Sequence, residues 1–425
     1  MDSFVIEGGA RLRGTLRIAG SKNAALPVMA AALLADGKSV IADIPNLQDI
    51  RSQIELLKLL GCRVDRQADG KLEIEVADES CSHAPYDVVR KMRASICVLG
   101  PLLAKRGHVR VSMPGGCAIG DRPVDIHLRG LRALGATIEL EGGDIIAHAD
   151  KLHGAEIFLG GNFGSTVLGT ANVMSAATLA QGTTVIECAA CEPEIVDLAD
   201  YLTSMGAKIS GHGTPRIVVQ GVPALHGAEH RIIPDRIEAG TFMVAAAISN
   251  GELNLDNVRI DHLMAAVDKL RSIGVIVEKS GEGVTVASAR RLEAAIITTQ
   301  PYPGFPTDLQ AQFMALLAIA NGNSIVSEKI FPDRFMHVAE LTRLGARMHR
   351  EGATVIIEGE QQLIGAPVMA SDLRASAALV LAGLAARGTT TINRVYHIDR
   401  GYEKIEERLN ALGANIKRVD QSAAE

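Results

Sequence analysis

The sequence of 425 residues contains no tryptophan, and aromatic residues make up only 3% of it. A chain so poor in rings is not built to hold sugars or bases mainly by stacking. Any polar ligand would have to be gripped by charge and backbone hydrogen bonds. A basic excess is missing too: the net charge is -6 at pH 7, which argues against a general nucleic-acid binder. No apolar run reaches the ~18 residues that span a bilayer, so membrane insertion is excluded. The start, Met1-Asp2-Ser3-Phe4-Val5-Ile6-Glu7, is acidic and strand-like. It lacks the basic opening and apolar stretch of a signal peptide, and the expected location is cytoplasmic. Cysteines number six and are expected to be reduced. Cys188-x-x-Cys191 has no second such pair and no histidine pair nearby, so it reads as structural. His127, His148 and His153 lack ligand-like partners, and neither a metal nor a cofactor is expected.

What is present is an ordinary globular balance, 47% apolar and 22% charged. At about 150 residues per domain the length allows about three domains. A repeat refines that estimate. The pattern apolar-Gly-small-x-apolar recurs around Gly61, Gly135, Gly206, Gly274, Gly345 and Gly413, with steps of 74, 71, 68, 71 and 68 residues. Ala/Leu-rich stretches ending at Gly37, Gly107, Gly182, Gly251, Gly322 and Gly388 run in phase with it. Each unit reads as helix, strand, helix and a closing hairpin such as Arg63-Val64 to Leu72–Val76, with glycine ending each helix. The expectation is an α/β fold of six units of about 70 residues, too long for a solenoid and so clustered as three per lobe. One lobe would span 22–232 and the other 1–21 with 233–425, the break lying near His230–Pro234. The N-terminal strand resembles Arg216–Val219, which ends the third unit, and is expected to complete the far lobe.

The repeat also localises polar residues. The first helices open on Gly20-Ser21-Lys22-Asn23, Met92-Arg93-Ala94-Ser95, Gly164-Ser165-Thr166, Pro234-Asp235-Arg236, Pro306-Thr307-Asp308 and Ser371-Asp372-Leu373-Arg374. Ser, Thr and Asp are ordinary caps. Cations in a first turn oppose the helix dipole, so Lys22, Arg93, Arg236 and Arg374 point instead to a bound anion or a partner carboxylate. Asp333-Arg334 and Asp399-Arg400 each follow a unit's first strand at one phase, so that Arg334 and Arg400 suggest convergent guanidinium groups, against the plainer reading of surface ion pairs. In the second unit that place is taken by Met113-Pro114-Gly115-Gly116-Cys117-Ala118-Ile119-Gly120-Asp121-Arg122-Pro123. Three glycines and two prolines around a cysteine describe an exposed loop, and Arg122 nearby would lower the Cys117 pKa. The other five cysteines are expected in helices or strands as small core residues. Up to this point the residues describe an enzyme for a multiply anionic small molecule; they do not name its reaction.

At these motifs, and over essentially its whole length, the sequence resembles the enolpyruvyl transferase family, in its UDP-N-acetylglucosamine 1-carboxyvinyltransferase branch. The resemblance rests on Gly20–Pro27, Met92–Ser95, Pro114–Gly120, Arg122–Asp125, Pro234–Glu238, Phe305–Asp308, Arg334–His337, Asp372–Ser376 and Tyr396–Gly401. It implies a two-lobed inside-out α/β barrel. The implied substrates are phosphoenolpyruvate and UDP-N-acetylglucosamine, with the enolpyruvyl group passing to the sugar 3-hydroxyl as the first committed step of peptidoglycan synthesis. Carried over by position, Lys22, Arg122 and Arg400 would hold phosphoenolpyruvate, and Asn23 would orient the reacting groups. Cys117 would serve proton transfer or product release, and Asp308 would be the base at the sugar hydroxyl. Arg93, Arg122, Pro123, Val124, Asp125, Ile126 and Ile330 match nucleotide-sugar contacts, and Arg334, Asp372 and Arg374 match other site residues. Many family members carry Lys-x-Ser-x-Gly-Ala-Thr where this chain has Gly164, so the diphosphate would fall to Ser165 and Thr166. The alternatives are the sister transferase of the shikimate pathway, against which the Cys117 loop argues, and a non-catalytic six-repeat clamp, against which the paired carboxylates and arginines argue.

Overall fold

The computed structural model describes residues 2–114, 124–288 and 291–420. Cys117, Arg122 and Pro123 lie outside them. The chain divides into two compact units, one built from the N-terminal segment up to Ala19 with the chain from Pro234 onward, the other from Gly20 to Ile233.

Among the described residues, each unit contains three four-stranded sheets of one design. In the Gly20–Ile233 unit, Lys38–Ala42 pairs antiparallel with Leu72–Val76, which pairs antiparallel with Cys62–Arg66. A short edge strand, Glu229–Arg231, joins Lys38–Ala42 in parallel. The sheets built on His108–Ser112 and Thr183–Glu187 repeat this order. In the other unit Glu252–Asp256 and Asn323–Ser327 head two equivalent sheets. The third closes through the N-terminus: Asp2–Glu7 lies between Thr389–Asn393 and Asn415–Asp420. It occupies the place that Arg216–Gln220 holds in its own sheet. Arg13–Arg17 then supplies the parallel edge beside Glu252–Asp256. These parallel edges, only two to five residues long, carry too little pattern to be read from sequence.

The core of each unit is helical. Helices such as Val167–Ala177, Arg236–Ile248 and Leu373–Ala385 are buried on nearly every side. Their composition explains this, because Ala, Val, Leu and Gly leave no polar face to solvate and allow close approach. A Cβ at Gly100 would meet the Asn172 carbonyl oxygen at 2.2 Å. The Asn172 side chain accepts from Gly100 N (2.8 Å), donates to Ile96 O (2.9 Å) and meets His127 Nδ1 (2.9 Å). His127 is thus a hydrogen-bonded core histidine. The second helices, such as Gln48–Leu59 and Pro193–Ser204, are amphipathic and cover the layer with one face.

The repeat glycines mark backbone turns. All six of the series from Gly61 to Gly413 adopt positive φ. In the other series Gly251 does not; Asn250 takes the left-handed conformation (φ 50) one residue earlier. The cysteine expectation needs a larger correction. Cys62 and Cys97 are buried core residues, but Cys81, Cys188 and Cys191 sit in loops and are partly exposed. Cys188 even has positive φ (55), because it follows directly on the end of strand Thr183–Glu187 where the chain turns.

Candidate active site

In the unit that begins at Pro234, the start of the fifth repeat's helical segment places Asp308 in a 3-10 turn, Thr307–Leu309, ahead of Gln310–Leu317. Arg334 Nη1 donates to Asp308 Oδ1 at 2.8 Å, and Arg374 Nη2 donates to Oδ2 at 3.3 Å. Asp308 therefore bridges two guanidinium groups, both almost fully buried. Asp372 caps Leu373–Ala385, accepting from Arg374 N (2.8 Å) and Ala375 N (3.1 Å). Such a cap contributes about 1 kcal/mol. Burial by itself lowers the pKa of both arginines, but nearby polar and charged groups outweigh it and hold both above the ordinary value. For Arg334 these are Asp308 and Asp372, and for Arg374 Tyr402, Asp308 and Asp235. Both guanidinium groups are permanent cations in a dry setting, where charge acts most strongly.

Arg374 lies over the Tyr402 ring, 5.4 Å from its centroid. The Tyr402 hydroxyl meets Thr241 Oγ1 at 2.8 Å, and Gln312 Nε2 donates to that pair and to the Asp308 carbonyl at 2.9 Å. These groups hold the Asp308 backbone and the ring against which Arg374 lies. Arg374 Nη1 is buried and has no hydrogen-bond partner among the described residues. Ile330 is half-buried, and its N–H donates to Glu328 Oε1 at 2.7 Å. Arg400 is half-buried in the turn after Val395–His397; its charge, after burial itself, helps to lower the His397 pKa.

The unit that begins at Gly20 holds the other set. Ser21 caps Lys22–Ala31 by accepting from Ala24 N, with Asn23 half-buried beside it. Lys22 Nζ pairs with Asp49 Oδ2 at 3.0 Å, both side chains nearly buried. A first-turn cation here answers a carboxylate from the next helix. Arg93 opens the 3-10 segment Arg93–Val98, and its Nη1 donates to Pro114 O at 3.4 Å. Val124 is buried, Asp125 is exposed, and Ile126 lies against the hairpin Gly160–Gly161 with Gly164–Ser165, since a Cβ at Gly161 would meet Ile126 Cδ1 at 2.7 Å. Ser165 is half-buried in that hairpin. Thr166 caps Val167–Ala177, its hydroxyl accepting from Gly169 N at 3.2 Å. Its oxygen is therefore partly engaged, and only its proton is left to offer an anion.

The adjacent Asp-Arg pairs of the sequence do not pair with themselves. Asp333 binds Arg350 (2.9 Å), and Asp399 binds Arg418 (2.6 Å). These are surface ion pairs, and they leave Arg334 to Asp308. Among the described residues no group of histidine, cysteine and carboxylates could hold a metal ion, and no helix is long and apolar enough to cross a membrane. Sequence reasoning missed Asp49, Gln312, Glu328 and Tyr402. Asp49 carried a signal: with Ser52 and Gln53 it interrupts the buried face of an amphipathic helix.

A family model described as EPSP synthase (3-phosphoshikimate 1-carboxyvinyltransferase) matches residues 6–409. The chain is 55% identical over 419 residues to the UDP-N-acetylglucosamine 1-carboxyvinyltransferase of Methylacidiphilum infernorum, with 99% of each chain covered. It is 54% identical over 423 residues to the protein of that name from Nitratidesulfovibrio vulgaris strain Hildenborough, covering 98% of this chain and 99% of the relative. Among solved structures, the enolpyruvyl transferase NikO from Streptomyces tendae aligns with a TM-score of 0.90 at 26% identity, over 98% of this chain and 99% of that one. EPSP synthase from Acinetobacter baumannii aligns with a TM-score of 0.77 at 20% identity, over 99% and 100% of the two chains, a likeness of fold alone. With an inside-out α/β architecture and a family match across nearly its full length, the chain belongs to the EPSP synthase family of enolpyruvyl transferases.

Proposed function

We propose that this enzyme transfers the enolpyruvyl group of phosphoenolpyruvate to the 3-hydroxyl of UDP-N-acetylglucosamine and releases phosphate, the first committed step of peptidoglycan synthesis. The observation that carries the reading is the Asp308 carboxylate held between Arg334 and Arg374, in a chain more than half identical to relatives bearing that enzyme's name.

The reaction is an addition followed by an elimination. A proton is delivered to C3 of phosphoenolpyruvate while the sugar oxygen bonds to C2 and loses its own proton. Loss of the C3 proton and of the C2–O bond to phosphate then regenerates the double bond. Asp308 is the base for the sugar hydroxyl, a task that suits a carboxylate within hydrogen-bond reach. Its two guanidinium partners fix its direction, and Arg374 Nη1, which has no partner among the described residues, can donate to an oxygen of the substrate. Lys22, Arg122 and Arg400 hold the phosphate and carboxylate of phosphoenolpyruvate, stabilising charge as it develops. Asn23 orients the reacting groups. Cys117 handles the C3 proton or product release. Arg93, Arg122, Pro123, Val124, Asp125, Ile126, Ser165, Thr166 and Ile330 bind the nucleotide sugar.

The family model also covers 3-phosphoshikimate transferases. Phosphate release from phosphoenolpyruvate, measured with UDP-N-acetylglucosamine and separately with shikimate 3-phosphate, separates the acceptors. Release with the nucleotide sugar alone is expected. Release only with shikimate 3-phosphate would overturn the proposal.

A further inference from the structure

Glu328 is a carboxylate with 1% exposure and, among the described residues, no ion-pair partner. Burying such a charge is costly unless hydrogen bonds replace its water. Four do. Oε1 accepts from Thr299 Oγ1 (2.6 Å), Ile330 N (2.7 Å) and Phe331 N (3.0 Å), and Oε2 accepts from Thr307 Oγ1 (2.9 Å). Thr307 Oγ1 in turn accepts from Arg334 Nη1 at 3.0 Å, the nitrogen that also donates to Asp308 at 2.8 Å.

The direction of this chain is fixed by chemistry. An ionised carboxylate only accepts, and a hydroxyl has one proton. Thr307 must spend that proton on Glu328, which turns a lone pair toward Arg334. Arg334 then has two acceptors, Thr307 and Asp308, that define the position of its guanidinium. The same carboxylate ties down the backbone at Ile330 and Phe331, the start of the turn that carries Arg334. At the other end of that turn Gln310 Nε2 donates to Arg334 O at 3.2 Å.

We infer that Glu328 is a positioning residue of the transfer reaction, acting through the Thr307 hydroxyl to set Arg334 against the base Asp308. The inference rests on the assignment of Asp308 as base. A residue that merely held the turn together would do so through the two backbone N–H groups, and the Thr307 hydroxyl would be dispensable. A positioning residue needs the hydroxyl.

The test is steady-state kinetics across pH on the full chain carrying Thr307→Val, Thr307→Ser or Glu328→Gln. Valine keeps the shape of threonine and removes only the relay. Thr307→Val is expected to lower kcat about tenfold or more, since small misplacements at a reacting centre are costly, with a much smaller change in KM for UDP-N-acetylglucosamine. The acidic limb of the kcat profile should move up by on the order of one pH unit as the guanidinium drifts from Asp308. Thr307→Ser, which restores the hydroxyl, should recover most of the loss, and Glu328→Gln should resemble Thr307→Val. If Glu328→Gln does not fold, Thr307→Val decides. Unchanged kcat and an unmoved acidic limb in Thr307→Val overturn the inference. Asp308→Asn in the same assay separates the two levels: full turnover there sinks the base assignment, while its loss beside an unaffected Thr307→Val sinks the relay alone.

Discussion

Asp308 and Arg334, 26 positions apart in sequence, meet at 2.8 Å, while the carboxylate adjoining Arg334 in sequence, Asp333, turns away to Arg350. The buried guanidinium answers the helix-start carboxylate, and the exposed one answers the loop. Removing the charge of Asp308 leaves Arg334 and Arg374 facing a neutral group. Asp308→Asn is expected to lower kcat by ~100-fold or more, in line with loss of a general base, with KM for the nucleotide sugar changed far less. Comparable kcat in wild type and variant would show that the base lies elsewhere.

Lys22 and Asp49 form a second buried pair, at 3.0 Å. Truncating one partner of such a pair removes an interaction that offsets the burial of the other, at a cost of up to about 3–5 kcal/mol. Lys22→Met should therefore lower the melting temperature as well as turnover. Lys22→Met combined with Asp49→Leu should recover much of the stability and none of the activity. If the double variant melts no higher than the single one, the buried charge of Asp49 is not the cause.

A thiol-directed epoxide phosphonate should label Cys117 and abolish turnover, and Cys117→Ala should be both inactive and unlabelled. Three of the described cysteines are poor competitors. Burial pushes Cys97 up to about 12 and Cys62 up to about 11, and burial also raises Cys191. Thiols of that kind present almost no thiolate at neutral pH. Peptide mass spectrometry reads the outcome, and modification at Cys188 or Cys191 instead would count against the assignment.

His337 is fully buried with Nε2 3.1 Å from Met314 Sδ. Burial, helped by Arg334 and opposed by Asp372, keeps its pKa well below the ordinary 6.5. The native state then binds fewer protons than the unfolded chain at pH values under 6.5. The contribution of the neutral imidazole is complete above that value and is lost as the pH falls beneath it. Melting temperature should drop as the pH is lowered from 6.5, and less steeply in His337→Gln, whose side chain does not titrate. Equal slopes for the two proteins would rule out this histidine as a source of acid sensitivity.

The six-unit α/β design is legible in the sequence because its causes are local. A helix of small apolar residues must be buried, a glycine with positive φ must end it, and alternating apolar residues must form a half-buried strand. These constraints act within a few residues and recur in every unit, so each copy reinforces the others. Positions such as Lys22, Asp308, Asp372 and Arg374 stood out for the same reason, as charged residues at one phase of the repeat.

Partner choice was not local. Nothing in Asp333-Arg334 says that these neighbours part, one to the surface and one to the interior. That depends on which repeats pack together and which side chains solvent reaches. Nothing in the sequence around Glu328 announces its four donors, which come from Thr299, Thr307, Ile330 and Phe331. By itself the sequence determined the repeated unit and the phase at which charge enters it, because both follow from backbone conformation and burial over short stretches. Tertiary structure alone decided which charges meet, because a buried ion pair or hydrogen bond exists only where packing of distant segments has already excluded water.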